Sequence, residues 1–278
     1  MFKKFAIALA MATTASFATW DYYPVHDAGK ASFKGGLYYD ADDDWSQAGI
    51  KIGARFSVIK GLEISMQNFG YQFWGETDCH GCANGGDGLT DMTLGARYEV
   101  APMVTMFIDF NLPIGQDHWD GAGTTTPSSD EFSIYLGAQF SLPTGVKGLD
   151  FGVEGGLFWG FESDNHERGL DLHAGVEARY EIPTVKGLAP YVGLQLKYRL
   201  TESEWEDDRD GHDYGYDDNG TSQLNFWFGA AFALDPMITF KAHFIFRNQD
   251  YDGRNDDGNP RRMDGDATGI YLGCEIFL

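Results

Sequence analysis

The chain has 278 residues with a formal charge of −22, 36 glycines, 15% aromatics and 9 prolines, a mix that disfavours helix bundles and disorder. The charge argues against nucleic acid or an anionic membrane surface as a partner. The mean hydropathy of −0.32 looks wrong for a membrane protein unless it is a barrel, whose lumen and loops are polar.

The chain opens with Lys3 and Lys4, an apolar run from Phe5 to Phe17, and small residues at Ser16 and Ala18. These read as an export signal over residues 1–18. The run is short of the roughly 20 residues that cross a bilayer as a helix. Residues 19–278 then read as a single domain.

From residue 31 to Leu278 the chain breaks into segments in which every second residue is apolar. The second sets Ile50, Ile52, Ala54, Phe56 and Val58 against Lys51, Gly53, Arg55 and Ser57. In the third, the apolar phase shifts between Met66 and Phe69, which predicts a β-bulge near Asn68. The fourth sets Met92, Leu94, Ala96, Tyr98 and Val100 against Asp91, Thr93, Gly95, Arg97 and Glu99. In the fifth, Val104, Met106, Ile108 and Phe110 oppose Thr105, Phe107, Asp109 and Asn111. The eighth sets Leu172, Ala174, Val176, Ala178 and Tyr180 against Asp171, His173, Gly175, Glu177 and Arg179. A helix would scatter these acids over every face, so the period means strands.

Short connections (Ile59–Gly61, Ala101–Met103, Pro143–Gly148, Pro183–Gly187 and Asp235–Met237) alternate strictly with long acidic, Gly-rich ones. That is the pattern of an all-β, antiparallel up-and-down barrel of twelve strands with both ends on the short-turn side. A faint repeat just before the short turns, such as Gly53-Ala54-Arg55-Phe56 and Gly95-Ala96-Arg97-Tyr98, sets Phe56, Tyr98, Phe140, Tyr180 and Phe232 at one depth. An aromatic girdle at a lipid interface requires such a row.

Alternation alone does not say which face is inside, since a soluble barrel also alternates. Twelve strands, however, enclose a space too wide for apolar side chains to fill. The aromatics gather at strand ends, and the polar face mixes both charges with glycine. These features favour a transmembrane barrel with the apolar face toward lipid.

The chain resembles the outer-membrane β-barrel superfamily of Gram-negative bacteria over nearly all of its length past residue 18. Its last ten residues, from Gly269 to Leu278, are similar to the C-terminal assembly signal of such proteins, except that Phe277 is penultimate. The resemblance implies an outer-membrane location, the lipid bilayer and the assembly machinery as partners, periplasmic termini and extracellular long loops. The eleven residues Gly88 to Tyr98 also resemble a strand of porin-like transporters associated with phenol and aromatic-compound degradation.

With the apolar face toward lipid, the lumen is expected to carry Lys51, Arg55, Asp91, Arg97, Glu99, Asp109, Glu154, Asp171, His173, Glu177, Arg179, Lys197, Arg199, Lys241 and Arg247. Opposed charges of this kind can line a solute path, or can pair across strands and rigidify a plugged barrel. Phe107, Tyr135, Phe158, Tyr191 and Trp227 also fall on the inner phase and would narrow it.

Cys79 and Cys82, in Cys-His-Gly-Cys, suit a small-loop disulfide in an exported protein better than a zinc site. Acidic loop residues such as Asp208, Asp210 and Asp213 could bind Ca²⁺ weakly, but no EF-hand pattern is complete, and a solvated surface explains them as well. No Ser–His pair with an acidic orienter can be assigned, so neither an enzyme nor a cofactor is expected. The expected function is a channel for small polar solutes. The alternative is a non-conducting surface barrel that displays its acidic loops for adhesion.

Overall fold

The computed structural model describes residues 25–42, 45–77, 86–116, 127–129, 131–161, 166–207, 212–216, 219–250, 252–254, 260–262 and 265–278. Among them, twelve long strands form the wall. They are β1 (Ala31–Ala41), β2 (Trp45–Ile59), β3 (Leu62–Thr77), β4 (Met92–Ala101), β5 (Val104–Leu112) and β6 (Ser133–Pro143). The second half comprises β7 (Leu149–Gly160), β8 (Asp171–Tyr180), β9 (Leu188–Arg199), β10 (Ser222–Ala233), β11 (Ile238–Asp250) and β12 (Gly265–Phe277). Each strand pairs antiparallel with the next. The ring is closed by β1 against β12, with Leu37 opposite Leu272. Closure leaves no sheet edge, so the backbone polar groups of the wall are satisfied within it.

Burial along the strands is the reverse of a soluble protein's. In β9, Val192, Leu194, Leu196 and Tyr198 are exposed, while Tyr191, Gln195, Lys197 and Arg199 are buried. The same inversion runs round the wall, with Phe33, Ile52, Leu94, Met106, Leu136, Leu157, Leu172, Phe226, Phe244 and Leu272 all outward. Water would penalise so continuous an apolar belt, whereas hydrocarbon does not. No helix among the described residues is long and apolar enough to cross a membrane; the crossing elements are strands.

The register between β2 and β3 shifts between Ile52 and Ala54, and Asn68 takes a left-handed φ of 61°. This is the bulge that the break in apolar phase predicts, and Asn is among the residues that accept this backbone conformation most readily. Past it the inward phase moves from Gln67 to Gln72, both buried.

Short turns join β2 to β3, β4 to β5, β6 to β7, β8 to β9 and β10 to β11, all at one end. Ala31 and Leu278 exchange backbone hydrogen bonds at that same end. Past the other end, Ser203–Asp207 pairs with His212–Tyr216 and with His166–Glu167, extending a small sheet beyond the barrel.

Candidate functional site

Several ions buried inside the barrel pair with neighbours on the wall. Arg55 Nε donates to Glu63 Oε1 at 2.7 Å between β2 and β3, and Arg97 Nη2 lies 3.6 Å from Asp109 Oδ2 between β4 and β5. Asp171 on β8 receives Arg199 of β9 at 2.5 Å and Arg168, from the segment before β8, at 2.9 Å. Lys241 meets Glu275 at 2.8 Å between β11 and β12. Arg247 of β11 reaches over β12 to Asp40 of β1 at 3.0 Å. Gly269 permits that reach, because a Cβ there would stand 2.2 Å from Asp40 Oδ1. Removing one member of such a buried pair typically costs about 3–5 kcal/mol. Pairing between near strands also holds these long side chains along the wall.

The interior rings follow the same rule. Tyr271 lies over Gly36, Tyr38 over Gly49, and Trp227 over Gly193, each on a neighbouring strand where a Cβ would meet ring atoms at 2.1–2.7 Å. Their polar ends are engaged or close to charge. Trp227 Nε1 donates to Glu177 Oε2 at 2.7 Å, and Tyr135 Oη donates to Glu154 Oε1 at 2.6 Å. Tyr191 Oη is hydrogen-bonded to His243 Nδ1 at 3.0 Å, and Lys51 Nζ sits 4.8 Å above the Tyr38 ring. The aromatic residues therefore line the wall.

At the long-loop end, one carboxylate gathers four hydrogen bonds from the connection between β5 and β6, which Gln116 also ties to Leu89. Asp91 Oδ1 accepts from Ser128 Oγ at 2.6 Å and from the Gly115 amide at 3.1 Å. Its Oδ2 accepts from the Ser129 amide at 2.7 Å and from Ser129 Oγ at 2.9 Å. Pro127, Ser129 and Glu131 thereby help to line a cavity of about 50 Å³, with Lys51, Gln72, Asn111, Phe158 and Arg168 opposite. Burial holds the Glu131 carboxyl above the ordinary carboxylate range, against the opposing pull of Arg168 and Arg199.

Closure on twelve strands with the apolar face outward decides the fold class, and solved structures agree. An outer-membrane channel from Pseudomonas putida F1 superposes with TM-score 0.63 at 14% identity, covering 93% of this chain and 98% of that one. The chain shares that barrel fold. The translocator domain of the autotransporter NalP from Neisseria meningitidis is also similar in fold, with TM-score 0.51 and 12% identity over 98% of this chain and 92% of that one. No family model matches this chain and no curated protein does, so the expected link to the aromatic-degradation transporters gains no support.

Within this barrel, Lys51, Arg55, Arg97, Asp109, Glu154, Asp171, His173, Glu177, Lys197, Arg199 and Arg247 are buried. Asp91, Arg179 and Lys241 are half-buried. Glu99 is exposed, because it sits beside the short turn where the wall ends. Phe56, Tyr98, Phe140, Tyr180 and Phe232 all face outward near that end. The positions Cys79, Cys82, Asp208 and Asp210 lie outside the described residues, as does the segment 1–18; Asp213 lies on the short strand His212–Tyr216. Interior residues that sequence reasoning passed over include Tyr38, Tyr271 and Arg168. The alternation of Ser32, Lys34, Gly36, Tyr38 and Asp40 carried a signal for the first. Arg168 precedes its strand, and no periodicity marks it.

The short-turn end holds one more feature. The backbone amide of His26 donates to Glu63 Oε2 at 3.1 Å, its ring nitrogen is 3.1 Å from Ser32 Oγ, and its carbonyl accepts from Ser57 Oγ at 2.6 Å. Burial, and next the Arg55 guanidinium, push the imidazole below its ordinary value. The depressed value means that docking of residues 26–30 is fully supported above the unfolded pKa near 6.5 and weakens as pH falls through the folded one. The Gly29 amide, bonded to Ser57 O at 2.8 Å, is expected to lose hydrogen-exchange protection between pH 7.5 and pH 5 beyond the change in intrinsic rate. Equal corrected protection at both values would refute this, and His26→Asn should remove the dependence.

Proposed function

We propose that this barrel is an outer-membrane channel that passes small hydrophilic solutes through a charged lumen. In this reading the short turns and the paired ends face the periplasm, and the long acidic loops face outward. The apolar belt meets lipid, with Phe56, Tyr98, Phe140, Tyr180 and Phe232 as the periplasmic girdle. The β12 strand with Phe277 is what the assembly machinery engages.

The observation that carries the reading is the placement of the large inner side chains. Charged groups pair between near strands and rings lie over glycines, so both stay against the wall. A solute passing along the axis would meet fixed charges of both signs, whose field orients water and polar groups. The acidic loops would enrich cations at the outer mouth. Planar-bilayer recording tests this directly: discrete, ohmic single-channel steps are expected from the folded, purified barrel. Silence from protein that is demonstrably folded would overturn the channel reading and leave a barrel whose role is surface display.

A further inference from the structure

Two neighbouring rows of the inner wall, near the long-loop end, hold buried polar atoms that find no hydrogen-bond partner among the described residues. In the first row His173, Lys197 and Gln223 face one another across β8, β9 and β10. The second runs from Gln195 through Asn225 to Arg247 across β9, β10 and β11. Arg247 is 3% exposed, yet only its Nη2 has a partner, Asp40; Nε and Nη1 have none. Asn225 is 1% exposed and spends its amide nitrogen on Gln195 Oε1 at 3.1 Å, leaving Oδ1 unmatched. Gln223 Oε1 and His173 Nε2 are in the same state.

Leaving such groups unmatched is unfavourable, most of all for a charged one. Donors and acceptors stand side by side here, and that defines what would complete them. The guanidinium requires an oxygen acceptor, for which an oxyanion is the strongest. The two amide oxygens require donors, which a hydroxylated molecule supplies. Those requirements meet in one ligand class.

We propose that this patch is a binding site within the channel for a small hydroxylated carboxylate, its carboxylate on Nε and Nη1 of Arg247 and its hydroxyls on Asn225 Oδ1 and Gln223 Oε1. This rests on the channel reading for its purpose, though binding itself does not require conduction. A weak, well-placed site of this kind concentrates one solute in the lumen without trapping it.

Sodium glucuronate and glucose serve as probes on the full-length folded barrel, by current block in planar bilayers and by calorimetry in detergent. Glucuronate is expected to interrupt the current and to bind with measurable heat, and glucose at equal concentration to do neither. Arg247→Lys, which keeps a charge for Asp40, and Asn225→Ala should each raise the half-blocking concentration about tenfold, as expected for one lost hydrogen bond to a charged ligand. Lys147→Gln, on an exposed turn, should leave it unchanged. Glucose acting as strongly as glucuronate would overturn the carboxylate assignment. Conduction with neither block nor heat would overturn the site while the channel stands; heat without conduction would do the reverse. Block unaltered in the two variants would place any binding elsewhere, and Asn225→Ala decides alone if Arg247→Lys does not fold.

Discussion

Replacing Trp227 with Ala is expected to lower the unfolding free energy of the barrel by about 3–5 kcal/mol, the usual cost of emptying a large aromatic site. It should also raise single-channel conductance. Trp227 is 1% exposed and packs with Ala189, Tyr191, Ala231 and Ile245, so its removal leaves space that β-strands cannot collapse to fill. The change also takes the indole N–H away from Glu177, which enlarges the loss. The cause is separable from general damage by its dependence on Gly193. A Cβ on Gly193 would stand 2.1 Å from Trp227 Cζ2, so Gly193→Ala should destabilise the wild type by about 1–3 kcal/mol. In the Trp227→Ala background the obstruction is gone, and the same substitution should cost little. A double-mutant cycle in urea should therefore return a coupling of about 1 kcal/mol or more. Strict additivity would mean that the ring does not rest on that glycine.

Much of this fold was readable because a barrel wall is a one-dimensional code. Period-two alternation in strands such as β2, β4 and β8 fixes which side chains share a face, and the strict exchange of short and long connections fixes the topology. Even the fault in the code was legible, as the break in apolar phase at Asn68 is the bulge itself. What periodicity does not carry is the height of one strand against another. It puts Arg55 and Glu63 on the inner face, but only the register makes them partners. Arg247 and Asp40 lie 207 positions apart and meet across a third strand, so no local spacing could join them. The glycines posed the same difficulty. Their place on the polar face was legible, but not that Gly36, Gly49 and Gly193 act as seats for rings on adjacent strands. Irregular segments were the least readable: nothing in the pattern around Arg168 or Ser128 marks them as interior.

The second large effect is expected at Asp91. Asp91→Ala removes the acceptor of four hydrogen bonds from Gly115, Ser128 and Ser129, of the kind worth about 1.5–3 kcal/mol each when one partner is charged. Because these bonds hold Ser128 and Ser129 at the mouth, where Pro127, Ser129 and Glu131 line the cavity, their loss is expected to free the connection without emptying the core. The barrel should keep its folded electrophoretic mobility while conductance rises and current noise increases. Limited proteolysis should cut between β5 and β6 at least ten times faster than in the wild type, as a loss of about 1.4 kcal/mol in closure already implies. Asp91→Asn separates charge from geometry, since its single carbonyl oxygen still accepts from Ser129 but its NH₂ faces donors. An intermediate rate of cleavage is the expected result. If Asp91→Ala is cut no faster than the wild type, then other contacts hold the loop and this carboxylate is not its latch. Conductance that rises without faster cleavage would instead assign Asp91 a purely electrostatic hold on the permeating ions.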